Sequence, residues 1–277
     1  MSAITVRNAS GNERSATIRR TWTLAWVLAV TEWKLRFYGS FLGYLWSLAR
    51  PFALFGVIYL VFSEFAKLGD DVPHYAVYIL FAIVLFTFFG EIAGGSVQSL
   101  VARESLLRKV RFPRLVIPLS IVLGALFNVG MTLVAVLIFA LLNGVYPMWT
   151  WIELPFLVGA LLIFAAGLGM LLGSLFVRFR DIAPIWDVVQ QALFYGSPIL
   201  YVATMVPEEY RDVYLINPIA AVLTQMRHAM VDHNAPSIFD AVGEPWHLLI
   251  TAVIVFGSFA LGLWVFQREA PNIAENL

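Results

Sequence analysis

Two carboxylates stand inside otherwise apolar runs of this chain: Glu91, in the run 75–97, and Asp187, near the start of the run 182–205. An ionised group at the centre of a bilayer costs roughly 2.5–3.5 kcal/mol, and less near an interface. Such residues snorkel, pair with a cation, or line a transport path, and Arg103, Arg178 and Arg180 are the candidate partners for structural pairing. No succession of buried carboxylates follows them, as a proton relay would need. His74, His228, His233 and His247 are scattered and form no His-Glu-x-x-His pattern, so no metal site is expected. Cys is absent, which removes disulfides, thiolate ligands and a thiol nucleophile. No Ser/His/Asp constellation follows from spacing, and no Gly-x-x-x-x-Gly-Lys-Ser/Thr loop offers a nucleotide site. What remains is binding chemistry. Lys34, Arg36 and Arg50 can receive a diphosphate, because Arg holds phosphate in a bidentate way; signalling of topology alone is the alternative. Tyr195 and Tyr201 flank Gly196-Ser-Pro198 and offer faces on which sugar rings stack, or they belong to an ordinary interfacial belt.

The elements that must position these groups are long apolar runs at 48–65, 75–97, 115–142, 155–177, 182–205 and 248–266. About 20 mostly apolar residues suffice to cross roughly 30 Å of hydrocarbon. The chain is 60% apolar and only 13% charged, with mean hydropathy +0.81, against about 25% charged in a soluble domain. Fifteen of the eighteen Lys and Arg residues fall in alternate gaps between the runs. They are Arg7, Arg14, Arg19, Arg20, Lys34, Arg36 and Arg50, then Arg103, Arg108, Lys109, Arg111 and Arg114, then Arg178 and Arg180, and finally Arg268. The other gaps hold only Lys67, Arg211 and Arg227 among ten acidic residues. Cytoplasmic loops are enriched in Lys and Arg. The expectation is therefore an all-α membrane protein with six spans and both termini inside. Net charge is zero, which gives no support to nucleic-acid binding.

Residues 1–20 are expected to be a polar tail without the apolar core of a cleavable signal, ahead of one membrane domain at 21–277. Trp22, Trp26, Val30, Trp33 and Phe37 share one side of a helix over 21–38, expected to lie in the membrane interface with Glu32 paired to Arg36. Leu24 and Leu28 interrupt its polar face. Leu106, Leu107 and Val110, ended by Phe112, form an apolar ridge among basic residues, as suits a helix docking into a cytoplasmic partner. Gly169 and Gly173 permit close helix approach, within the chain or between copies. The run 182–205 breaks at Gly196-Ser-Pro198, and 202–246 reads as short helices dipping into the outer leaflet.

The segments Arg36-Phe-Tyr-Gly-Ser-Phe-Leu-Gly-Tyr-Leu-Trp-Ser-Leu-Ala-Arg-Pro51, Arg108-Lys-Val-Arg-Phe-Pro-Arg114, Val177-Arg-Phe-Arg-Asp-Ile182 leading to Trp186, Gly196-Ser-Pro-Ile-Leu-Tyr201 and Asn217-Pro218 with Arg227 follow in order, before the tail 266–277. In this the chain resembles the membrane subunit of ABC-2 type exporters, in the branch that moves polysaccharides, O-antigen and teichoic acids. The resemblance implies a pore of two copies and two separate ATP-binding cassette subunits on the cytoplasmic side. ATP and Mg would sit on those partners, with no cofactor or metal in this chain. It implies a coupling helix at about 104–114, with contacts from Glu104, Leu106, Leu107, Arg108, Lys109, Val110, Arg111, Phe112 and Arg114, and a smaller contact at Arg178, Arg180 and Asp181. Its substrate would be a polyprenyl-diphosphate-linked glycan. The expected path runs by Lys34, Arg36, Tyr38, Arg50, Tyr195, Tyr201 and Arg227, with re-entrant helices after Gly196, Ser197 and Pro198. The alternatives are an ABC-2 exporter of drugs, peptides or lipids, and an integral membrane glycosyl or phosphoryl transferase.

Overall fold

A computed structural model of the chain describes residues 3–37, 43–103, 113–244 and 246–276, with side chains except at 3–17, 36, 37, 44 and 270–276. The described residues form helices and no strand. The long helices are α1 (Ala3–Phe37), α2 (Gly43–Tyr59, prolonged by a π turn at Leu60–Phe65), α3 (Tyr75–Val97) and α5 (Val116–Leu142). They continue with α6 (Leu154–Arg178, entered by a 3-10 turn at Trp149–Glu153), α7 (Ile182–Tyr195) and α11 (Trp246–Asn276). Shorter ones are α4 (Ser99–Ala102), α8 (Glu208–Leu215), α9 (Pro218–Met226, continued by a π turn at Arg227–Val231) and α10 (Ile238–Ala241). Pro51 sits at the midpoint of α2. The expected polar tail is helical from Ala3, continuous with the helix foreseen at 21–38.

Among the described residues, five helices are long and apolar enough to cross a membrane. The fifth run, 182–205, behaves differently. At about 1.5 Å per residue the 14 residues of α7 reach roughly 21 Å, short of the roughly 30 Å hydrocarbon core. Pro198 stops it, because proline lacks the N–H and pushes the residue before it out of helical conformation. The chain nevertheless continues along α3. Trp186 and Gln190 lie against Gly94 and Gly90, Phe194 against Phe86, Pro198 against Tyr78 and Leu200 against Tyr75. Helix and irregular segment together thus follow α3 from its last turns back to its first residue.

α3 is the centre of the molecule. Of its most apolar stretch 83% is buried, against 11% for Leu45–Phe65 at the edge. A helix apolar on every side is one buried on every side. Glycine lets its neighbours approach: a Cβ at Gly169 or Gly173 would meet Ser96 of α3, and one at Gly262 would fall 2.0 Å from the Gly167 carbonyl oxygen. Gly169 and Gly173 therefore serve packing within the chain. The two ends of the bundle have separate cores. Leu100, Ile117, Met170, Val177 and Phe266 close the basic end. Ala203, Leu215, Ala220, Ile238 and Val242 close the other, beneath α8, α9 and α10.

α1 packs on α5 through its small residues and through Trp26 and Trp33 of its aromatic side, whose rings meet Phe127 edge to face. Ala25 and Ala29 are buried against Val116 and Leu123, with Leu24 and Leu28 beside them. The two leucines that interrupt its polar face are thus part of the packing surface. Trp22 and Trp26 keep about half their surface exposed, and Trp33 reaches inward.

Candidate functional site

The candidate groups fall at three levels. At the basic end, 104–112 lies outside the described residues, and with it Glu104, Leu106, Leu107, Arg108, Lys109, Val110, Arg111 and Phe112. Arg103, the last described residue before that segment, donates from Nε to Glu32 Oε1 at 2.8 Å and from its terminal nitrogen to Oε2 at 2.5 Å. Arg114 stands just ahead of α5. Arg178, Arg180 and Asp181 are exposed where α6 turns into α7. The arginines lie over the rings of Phe179 and Phe176, at 5.7 and 5.1 Å. These apolar stems covered by guanidinium groups present cations to whatever approaches that end.

Deeper in, a cleft of about 940 Å³ opens among α2, α3, α5 and α7, lined by Trp46, Arg50, Thr87, Glu91, Asn128 and Gln190. It joins amide, carboxylate and guanidinium groups to aromatic walls, as ligand clefts do. Of the three arginines expected as partners, Arg103 goes to Glu32, while Arg178 and Arg180 lie exposed at the end of the bundle. Asn128 Nδ2 donates to Glu91 Oε1, and Asn128 Oδ1 accepts from Trp33 Nε1 at 3.0 Å. A carboxamide can serve both because it carries a donor and an acceptor. Asp187 is exposed on α7. Of the inner path candidates, Arg50 lines the cleft and Lys34 is exposed. Tyr38 and the Arg36 side chain lie outside the described residues. Glu32 is held by Arg103, and its expected pair with Arg36 falls on a side chain outside the described residues. Asn128 and the Gly90–Gly94 seat of Gln190 were missed in the sequence. An amide in a span, and two glycines four apart facing it, are the signals that mark them.

At the acidic end the break after α7 is buried. Ser197 is fully enclosed and Pro198, Ile199 and Leu200 are buried. Irregular backbone at such depth needs partners for its carbonyls. Tyr78 donates its hydroxyl to the carbonyls of Pro198 and Tyr201, and Tyr75 donates to that of Leu200. Asn217 donates to Ser197 Oγ at 3.0 Å, while its Oδ1 caps α9 at Ile219 N. Tyr201 donates to the Tyr195 carbonyl and accepts from Tyr214, both at 3.1 Å. Burial, reinforced by that bond to Tyr201, pushes the Tyr214 phenol up. Tyr195 itself is 58% exposed. Arg227 is 9% exposed, and its Nε has no hydrogen-bond partner among the described residues. Burial lowers its affinity for the proton, which Tyr78 and Asp232 nearby partly restore. The break residues, Tyr201 and Arg227 thus belong to one hydrogen-bonded and packed crown, and Tyr195 faces outward from it.

The family model of the ABC-2 type transporter matches residues 23–231, from the middle of α1 to the end of the π turn after α9. The chain belongs to the ABC-2 type transporter family. As an ABC-2 membrane domain it is similar to several export permeases over nearly its whole length. It is 29% identical to the O-antigen export system permease protein RfbA of Klebsiella pneumoniae, over 91% of this chain and 93% of that one. The O-antigen export system permease protein RfbA of Myxococcus xanthus is 28% identical, over 90% and 94%. The polysialic acid transport protein KpsM of Escherichia coli is 23% identical, over 88% and 93%. Among the described residues of this ABC-2 chain no group of three or more His, Asp or Glu side chains is placed to hold a metal ion.

Proposed function

We propose that this chain is the membrane-spanning subunit of an ATP-driven exporter of a lipid-linked polysaccharide or teichoic-acid-like polymer across the cytoplasmic membrane. The observation that carries the reading is the family membership together with relatives named for O-antigen and polysialic acid transport. The chain crosses six times with both termini in the cytoplasm. Support for the fifth crossing comes from α7 and the segment after it, which accompany α3 along its length. Two copies form the pore, and two ATP-hydrolysing subunits, which carry ATP and Mg, bind the basic end. The segment 104–114 docks them, assisted by Arg178, Arg180 and Asp181.

The substrate enters by Lys34, Arg36, Tyr38 and Arg50, which receive its diphosphate, and leaves past Tyr195, Tyr201 and Arg227. A polar cleft with aromatic walls at Arg50 supports the entry, and an outward-facing Tyr195 supports the exit. The test is the double substitution Leu107→Asp with Val110→Asp. Each buried aliphatic side chain contributes about 1.5–3 kcal/mol to a docked interface. The expected result is inserted protein that no longer retains the ATPase and exports no polymer. Normal export with tight ATPase binding overturns the docking assignment.

A further inference from the structure

The residue that leads into 104–114 is tied to α1, and the next residue of α1 is tied to the polar cleft. Arg103 holds Glu32 through two charge-assisted hydrogen bonds, the fork geometry that fixes direction as well as distance. The pair is half-sheltered, with 19% and 37% of the two side chains exposed, so solvent screens it less than a surface pair. Arg103 also reaches the Ser99 carbonyl at 3.4 Å, which joins it to α4 beneath. Trp33, the adjacent residue, donates to Asn128, and Asn128 donates to Glu91 in the cleft wall. Trp33 also meets Phe127 edge to face, at 6.0 Å between centroids. Two consecutive residues of one rigid helix therefore connect the root of the segment 104–114 to a carboxylate inside the bundle.

We propose that Glu32 and Arg103 form a strut that carries movement of the segment 104–114 to α1 and, through Trp33 and Asn128, to Glu91. Glu32 and Arg103 are positioning residues: they act by setting where α1, with α5 packed on it, stands beside α3. This rests on the reading that 104–114 docks the ATPase. A helix transmits displacement along its length because its hydrogen-bonded backbone does not compress, and close-packed Ala25 and Ala29 leave α1 no slack against Val116 and Leu123. When the segment 104–114 shifts, Arg103 draws Glu32, and the Trp33–Asn128 bond moves the Glu91 carboxylate relative to Arg50 across the cleft. Energy from the partner thereby changes the cleft without a new contact between partner and cleft.

Charge reversal tests it in the assembled exporter. Glu32→Arg and Arg103→Glu are made singly and together. Polymer at the cell surface, ATPase copurification, ATP hydrolysed per polymer exported and melting temperature are then measured. Each single reversal is expected to retain the ATPase, to lower export by about tenfold and to raise the ATP spent per polymer. The double reversal is expected to restore export to within roughly threefold, since directly paired residues are the ones whose effects are strongly non-additive. The neutral variants Glu32→Gln and Arg103→Gln give the same loss without a buried like-charge clash, should a reversal fail to fold. Wild-type export in both neutral variants overturns the strut, and so does a well-folded double reversal that stays as defective as the singles. A fall in melting temperature with an unchanged ATP cost per polymer reduces the pair to a structural clamp and likewise overturns it. If Leu107→Asp with Val110→Asp leaves ATPase binding intact, the docking reading itself has failed, whatever the reversals show.

Discussion

Single hydroxyls decide how an unwound stretch survives inside this bundle. Tyr78 supplies one donor to two carbonyls, those of Pro198 and Tyr201. Leaving a buried acceptor unsatisfied costs about 1–3 kcal/mol. Tyr78→Phe keeps the ring and removes the donor, so it is expected to lower the melting temperature and open the segment 196–202 to limited proteolysis. A variant as stable and as resistant as the wild type contradicts the role given to the hydroxyl. Asp240 offers a sign to check by pH. Its side chain and that of Ser237 bond each other's backbone N–H groups at the start of α10. The Ser237 hydroxyl also donates to Asp240 and, with the backbone bond, holds its carboxyl below the ordinary value. A depressed folded value means the stabilisation is complete above the ordinary aspartate range and fades as pH falls through the lowered value. Ser237→Ala is expected to return the Asp240 titration, followed by carboxyl NMR, towards ordinary; an unmoved titration denies the hydroxyl its part.

At the scale of helices, close crossings are the feature most sensitive to added atoms. In lipid, helices associate by packing and not by burial from water, so small residues sit where backbones meet. A Cβ at Gly262 would lie 2.0 Å from the Gly167 carbonyl oxygen, whereas one at Gly130 meets nothing within 4 Å. Gly262→Val is therefore expected to lower yield and melting temperature sharply, and Gly130→Ala to be tolerated. Equal behaviour of the two contradicts the α6–α11 crossing. This scale also shows how far the residues speak for themselves. Apolar length and the positions of Gly and Pro mark the five long apolar helices and the break at Gly196-Ser-Pro198, because those signals are local, but by the same signals 182–205 counts as a sixth span. The short α7 did not declare itself in a run as apolar as 182–205. Its end is forced by Pro198, and its companion segment is made tolerable by tyrosines more than a hundred residues away. One partner of Glu91 was hidden for the same reason. Asn128 is 37 residues distant, and an arginine is the nearer guess when only charge is considered.

For the molecule as a whole, the segregation of cations to one end is the organising fact. The described cations Arg103, Arg114 and Arg178 and the acidic crown stand at opposite ends of the bundle, each beside its own small core. The native chain has no Cys, so introduced thiols are the sole labels. Single cysteines replacing Ser10, Asp71, Ser105, Thr150, Arg180, Asp240 and Asn276 are expected to react with an impermeant reagent in intact cells only at Asp71, Thr150 and Asp240. Exterior labelling at Ser105 or Arg180 reverses the orientation. The exit face is checked by Tyr195→Ala. Because Tyr195 is exposed and its carbonyl stays in place to accept from Tyr201, export is expected to drop while assembly and substrate-free ATP hydrolysis persist; export at the wild-type rate removes Tyr195 from the path.

The most direct measurement of the central claim is where the polymer accumulates when this chain alone is removed from its own host. Cells lacking it are to be fractionated and the lipid-linked polymer quantified inside and at the surface, with the chain restored from a plasmid as the reference. The account predicts polymer trapped on the cytoplasmic side and absent from the surface, with both reversed on restoration. Surface polymer at the wild-type level without the chain contradicts it.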